Sequence, residues 1–248
     1  MGYKNYTIRG KTDGFGCQYN AVLSGLAFCH NMNGRYRYVH TPFGRVSHGW
    51  EDRTDELNDF IGIPDGRHGK KIHVAQRFNK NVHLDTNPSN WYNHKVLDII
   101  RKSYWSTEKP SPPKNDIVVH IRRGDVQPNR GGDRRARHMK NQWYQGRIPW
   151  LTSKYPSHYK VSIHSEGEMS EFQSIMNEWP QDLIDRTTWK LNCCLKTVFH
   201  EMVTAKILFQ SKSGLSYTAG ILSEGEVYFK IGSPARGQKY PLNNWILI

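Results

Sequence analysis

Residues 116–125 read Asp-Ile-Val-Val-His-Ile-Arg-Arg-Gly-Asp, and the last of them carry side chains suited to binding an anion. Arg122 and Arg123 are guanidinium groups, which fork onto phosphate oxygens. His120 can donate or accept a hydrogen bond, and Asp125 can orient a guanidinium. Immediately before them, Ile117, Val118 and Val119 form a β-branched run with no polar alternation, the pattern of a strand buried on both faces. Ligand crevices in open α/β sheets lie at the carboxyl ends of the strands. The spacing therefore predicts a diphosphate-binding site at this strand end.

Two further turns could do related chemistry. Asp13-Gly14-Phe15-Gly16-Cys17-Gln18 follows a strand predicted over Tyr6–Arg9. It precedes a helical pattern in which Tyr19, Val22, Leu23, Leu26, Ala27 and Phe28 recur at three- and four-residue spacing. Glycines two apart in that position let backbone N–H groups approach an anion at the helix N-terminus, although an ordinary tight turn has the same signature. The second turn, Gln210 to Tyr217, presents Ser211, Ser213 and Ser216 after a helix predicted over Thr197–Phe209 from Val198, Met202, Ala205 and Leu208.

The elements that must position these turns are a mixture of strands and helices. Tyr36–His40 reads as a strand, Glu51–Phe60 as a helix whose acidic face is solvated or else binds the acceptor, and Ile72–Val74 and Val82–Leu84 as short strands. Asn90–Tyr104 reads as a helix. Lys109-Pro110-Ser111-Pro112-Pro113-Lys114 then breaks the pattern and marks a boundary between domains at 1–110 and 114–248. After the arginine strand, Gln127–Lys140 forms a basic loop over its end. A helix over Trp143–Tyr155, broken by Pro149, precedes a strand over Tyr159–His164 and a helix over Glu168–Trp179. Val227–Phe229 is the predicted closing strand. The fold class is α/β, with a Rossmann-like second half whose polar turns share one sheet edge.

The chain has 248 residues, 37% of them hydrophobic, enough for a substantial core. A formal charge of +13 points to an anionic partner, whether nucleic acid, phosphorylated substrate or acidic membrane surface, and does not choose among them. Cys17, Cys29, Cys193 and Cys194 include no Cys-x-x-Cys pair and read as buried thiols in a reducing compartment. No run approaches the ~18 apolar residues of a membrane span, and the N-terminus lacks the apolar stretch of a signal peptide. A soluble, cytoplasmic protein is the expectation, and a chain trimmed of a Golgi-type anchor would read the same.

His120-Ile121-Arg122-Arg123-Gly124-Asp125 resembles the His-x-Arg-Arg-x-Asp signature of GDP-fucose-dependent fucosyltransferases, the superfamily of the α-1,2, α-1,6 and protein O-fucosyl enzymes. Gly14-Phe15-Gly16-Cys17-Gln18 resembles the Gly-aromatic-Gly-Cys-Gln turn of the α-1,6 enzymes. The stretch from Phe199 to Phe229, with its three serines and Gly220, is similar to the segment that closes the donor site. The resemblance implies a GT-B-like fold, two Rossmann-like lobes facing a cleft, with the acceptor on the N-terminal side and the nucleotide sugar held by the C-terminal lobe.

It also implies residue roles. Arg122 would contact the donor β-phosphate and neutralise the departing diphosphate, and Arg123 would assist or orient the loop through Asp125. His120 would lie near the nucleotide, against the alternative of a satisfied strand-end histidine. Ser211, Ser213 and Ser216 would bond phosphate or base, against the alternative of ordinary turn serines, and Gly14, Gly16 and Gln18 would line the opposite side. The implied reaction is metal-independent and needs no cofactor beyond the nucleotide-sugar co-substrate, with a glycan as acceptor. An inverting displacement needs a carboxylate base, for which Asp13, Glu51 and Asp52 are candidates. Another donor such as UDP-xylose would use the same arginine. The rival readings are a basic nucleic-acid-binding protein, motivated by Arg130 to Lys140 beside Trp143 and Tyr144, and an inactive glycan-binding relative. Under the leading reading no nucleic acid is expected.

Overall fold

The computed structural model describes residues 4–8, 12–33, 35–47, 53–64, 87–111, 115–126, 137–230 and 241–248. The strands expected at Ile72–Val74 and Val82–Leu84, the base candidates Glu51 and Asp52, and most of the basic loop lie outside these residues. Two compact units divide the chain: Met1–Lys109 with Gly237–Asn243, and Pro110–Arg236 with Asn244–Ile248.

In the first unit, β1 (Lys4–Tyr6) and β2 (Tyr36–Tyr38) pair in parallel, and α1 (Phe15–Asn31) connects them, making a βαβ unit. Twelve of the 17 residues of α1 are buried, so this helix is central to the unit rather than a surface cover. Gly25 lets it approach β2 closely, because a Cβ there would lie 2.7 Å from the Tyr38 ring. Leu57, Phe60 and Ile61 of α2 (Thr54–Ile61) and Val96, Ile100 and Tyr104 of α3 (His94–Trp105) supply further core. Helix α3 begins later than its periodicity predicts. Pro88–Asn90 forms a separate 3-10 turn, and the Asn93 side chain caps the helix by accepting from the Val96 N–H at 3.2 Å.

The second unit carries an all-parallel six-stranded sheet among the described residues. Its strands are β3 (Ile117–His120), β4 (Val161–Ser165), β5 (Thr187–Leu191), β6 (Ile207–Phe209), β7 (Glu226–Phe229) and β8 (Ile246–Leu247). The spatial order is β5-β4-β3-β6-β7-β8. Numbered within this unit that is 3-2-1-4-5-6, the Rossmann order, whose direction reverses between its first and fourth strands, here β3 and β6.

Side chains alternate across this sheet. Ile117, Val119, Val161, Ile163, Ile207 and Phe209 join one core with Tyr144, Ile148 and Leu151 of α4 (Asn141–Thr152), Ile175 of α5 (Gln173–Met176) and Leu183 of α6 (Gln181–Asp185). The opposite set, Val118, His120, Ser162, His164 and Leu208, faces α7 (Leu195–Thr204) and α8 (Gly214–Leu222). Ile117, Val118 and Val119 are all fully buried, as the uninterrupted apolar run predicts. Burying each such side chain contributes roughly 1.5–3 kcal/mol.

Several expectations require correction. The helix predicted through Phe209 stops at Thr204, and Ile207–Phe209 is instead the strand β6, because three apolar residues fit the buried gap beside β3. Pro149 does not break α4. The Gln145 carbonyl, which a proline at 149 leaves without its helical donor, accepts the Trp179 indole N–H at 3.0 Å. The helix predicted over Glu168–Trp179 is a 3-10 turn, Met169–Glu171, followed by the four-residue α5. There the Glu171 carbonyl accepts from Asn141 Nδ2 at 2.7 Å, while the Ile175 N–H turns to Phe172. Of the four cysteines, which are free thiols, Cys29 is buried, Cys17 half-buried, and Cys193 and Cys194 exposed in the turn between β5 and α7.

Candidate functional site

Where β3 and β6 part at their carboxyl ends, the arginine turn and the serine turn meet. His120 closes β3, and its Nδ1 lies 2.8 Å from Ser211 Oγ in the turn that leaves β6. That bond joins two segments 91 residues apart. Burial, the Arg122 charge and His164 push the His120 imidazole down to about 3, so the ring is neutral at physiological pH.

Arg122 and Arg123 diverge. Arg122 keeps 17% of its side chain exposed, pairs with Asp125, and lies 3.7 Å from Glu166 at the end of β4. Gly124 makes this turn possible. Its φ of +71 is left-handed, and a Cβ there would run into the Glu166 carboxylate. Arg123 is buried. Its guanidinium donates to the carbonyls of Arg122 and Met139 and to Asn141 Oδ1, and lies within 6 Å of the Tyr144 and Phe172 rings. The reading in which Arg123 orients the loop through Asp125 is therefore replaced: Arg122 takes Asp125, and Arg123 anchors the turn to the core.

The serines build the N-terminus of α8. Ser213 is its N-cap, with Oγ accepting from the Leu215 N–H at 3.2 Å. Ser216 donates to the Ser211 and Ser213 carbonyls at 3.3 and 3.4 Å. The nine-residue helix thus starts at the strand reversal with its positive dipole end there. An arginine on the turn after β3 and a helix N-terminus on the turn after β6 are groups of the kind that hold a diphosphate.

Behind His120 runs a polar row that the sequence reading did not single out. His120, His164 and Lys190 are in register across β3, β4 and β5. Glu201 of α7 accepts from Lys190 at 2.8 Å and from Asn115 at 2.9 Å, and lies 2.7 Å from His164 Nε2. Burial acts to raise the Glu201 carboxyl, but the hydrogen bonds from His164 and Lys190 hold it below the usual range. A signal for His164 exists in the sequence, since β3 and β4 each place a histidine at the same register position. Glu201, on a helix face, offers none.

In the first unit, Gly14 is the N-cap position of α1 and Gly16 is buried in its first turn. Gln18 is buried and donates to the Asp13 and Arg45 carbonyls at 2.6 and 2.7 Å, which ties the turn together. Asp13 is exposed. No helix among the described residues is long and apolar enough to cross a membrane.

No protein-family model matches the chain, and no curated protein sequence matches it. Among solved structures, the crystal structure of POFUT1 in complex with GDP is similar, with a TM-score of 0.43 and 14% identity, covering 90% of this chain and 96% of that one. Likeness at this level leaves the reading of the site to the chain's own residues.

Proposed function

We propose that the protein is a glycosyltransferase whose second unit binds a nucleoside diphosphate sugar where β3 and β6 part. One observation carries this reading: at the reversal point of a Rossmann-order sheet the Ser211–His120 bond joins the end of β3, whose following turn carries Arg122, to the turn after β6, which starts α8. A diphosphate there accepts backbone N–H groups from α8 and a fork from Arg122.

The finer reading is an inverting, metal-independent transfer of fucose from GDP-fucose to a glycan hydroxyl. The acceptor oxygen attacks the anomeric carbon while the bond to the β-phosphate oxygen breaks and its electron pair leaves with the diphosphate. Arg122, held by Asp125, balances that charge as it develops. A carboxylate takes the acceptor proton, with Asp13, Glu51 and Asp52 as candidates. His120, neutral and bonded to Ser211, shapes the nucleotide side of the crevice.

Thermal shifts with GDP-fucose, GDP-mannose, UDP-xylose, GDP and UDP test the donor. GDP compounds should stabilise the protein, and a response to UDP-xylose alone replaces the guanine donor by a uridine one. Arg122→Ala should lower the turnover rate by roughly 10²–10³. Near-normal turnover removes its proposed role.

A further inference from the structure

One stripe of α4 alternates rings and cations. Trp143, Arg147 and Trp150 recur at four- and three-residue spacing, and Lys154 continues the stripe in the turn beyond the helix. Lys230, directly after β7, places Nζ 4.7 Å from the Trp143 ring centre. Over Trp150 stand the Arg147 guanidinium at 5.3 Å and Lys154 Nζ at 3.8 Å, and Lys154 also lies 5.8 Å from the Tyr228 ring. The rings are themselves anchored: Trp143 packs 5.4 Å from Phe209, and Trp150 meets Tyr228 edge-on at 6.2 Å. Such anchoring limits the freedom of the cations above them.

Among the described residues the strip has no paired counter-charge: Arg147, Lys154 and Lys230 form no ion pair with a carboxylate. Glu226 stands at the far end, where it accepts from the Tyr155 hydroxyl at 2.6 Å. Burial, then the charges of Lys212 and Arg147, hold the Lys230 amine below the ordinary lysine range, as expected where cations crowd together. Lys154 is exposed, and Arg147 and Lys230 are half-buried, so an anion can reach them.

We propose that this strip binds an acidic glycan, whose carboxylate, sulfate or phosphate groups supply a counter-charge to Lys230, Arg147 and Lys154. The chemistry favours a glycan over a single-stranded nucleic acid. Bases bind by stacking on open aromatic faces, whereas Trp143 and Trp150 already carry the protein's own cations over their rings. Charged groups on a sugar chain need only the cations.

The test uses the full chain without any nucleotide sugar, so its outcome is separate from that of the transfer reaction. Binding is measured to heparin, polygalacturonate, neutral dextran and a single-stranded oligonucleotide of matched charge. The acidic polysaccharides should bind and be released by salt, and dextran should not bind. R147E/K154E should weaken polysaccharide binding by roughly tenfold or more. K95E/K102E changes the formal charge equally at two exposed positions of α3 and should leave binding nearly unchanged. If both double variants weaken binding equally, the overall charge is responsible and the strip is not the site. An unaltered R147E/K154E overturns the proposal as well. An oligonucleotide that binds as tightly, and loses as much in R147E/K154E, reassigns the strip to nucleic acid. Thermal unfolding checks the fold of each variant, and R147Q/K154Q serves in the same comparison if the charge reversal does not fold.

Discussion

Arg122 and Arg123 are neighbours in sequence with different physical fates. Arg122 is partly exposed and paired with Asp125, so its loss removes an ion pair near the surface; Arg123 is buried and supplies donors to three protein acceptors. Arg123→Ala should therefore destabilise the protein by roughly 2–4 kcal/mol in urea unfolding, because buried acceptors lose their donor. Arg122→Ala should stay within about 1 kcal/mol in the same measurement while turnover falls. His120 makes a prediction in pH. Its folded pKa, about 3, lies below the ordinary 6.5. Between those values the unfolded state binds a proton that the native state does not, so stability falls as pH drops below 6.5. Urea unfolding at pH 6.5 and pH 5 should differ by up to about 2 kcal/mol from this group. His120→Asn, which keeps an acceptor toward Ser211, should flatten that slope; an unchanged slope assigns the effect to other groups.

Within the elements, tertiary contacts complete what local sequence leaves open. Pro149 sits inside α4 because Trp179 donates to the carbonyl that the proline leaves unpaired. Trp179→Phe should cost about 1–3 kcal/mol through the lost hydrogen bond. In a Pro149→Ala background the helix regains its own donor, and the same substitution should cost about 1 kcal/mol less. Equal costs in the two backgrounds sink this account. Asn141 works similarly across elements, since its side chain takes the Glu171 carbonyl and accepts from Arg123, linking the start of α4 to both the 3-10 turn and the arginine turn. No local pattern in residues 168–179 announces a partner 30 residues away.

For the whole molecule, the two compact units each contain a parallel βαβ arrangement, and the chain's last residues serve both. Leu242 is buried in the first unit, while Trp245 in the second lies 5.0 Å from Tyr217 and 5.5 Å from Phe229. Trp245→Ala should destabilise the protein by about 3–5 kcal/mol in thermal or urea unfolding, because a large ring leaves a cavity against α8 and β7. A change under about 1 kcal/mol contradicts that packing.

Part of the local structure of the candidate site was legible in sequence, where it depends on short-range chemistry. A β-branched run ending in charge identifies a buried strand delivering polar residues to a sheet edge, whereas the turn predicted over Gln210–Tyr217 hid the start of α8 at Ser213 and the helix predicted through Phe209 hid β6. Residue type alone could not separate Arg122 from Arg123, since their difference lies in Met139, Asn141, Tyr144 and Phe172, all more than ten residues away. Nor could it supply Glu201 behind His164 or the indole under Pro149. The strands β3, β4 and β7 and the helix α4 were set by the sequence through hydrophobic period and turn chemistry, whereas β5, β6, β8 and α8 were not legible from that local pattern. The strand order, which brings Ser211 to His120, was decided by the tertiary structure, because it rests on pairings between residues with no local signal for one another.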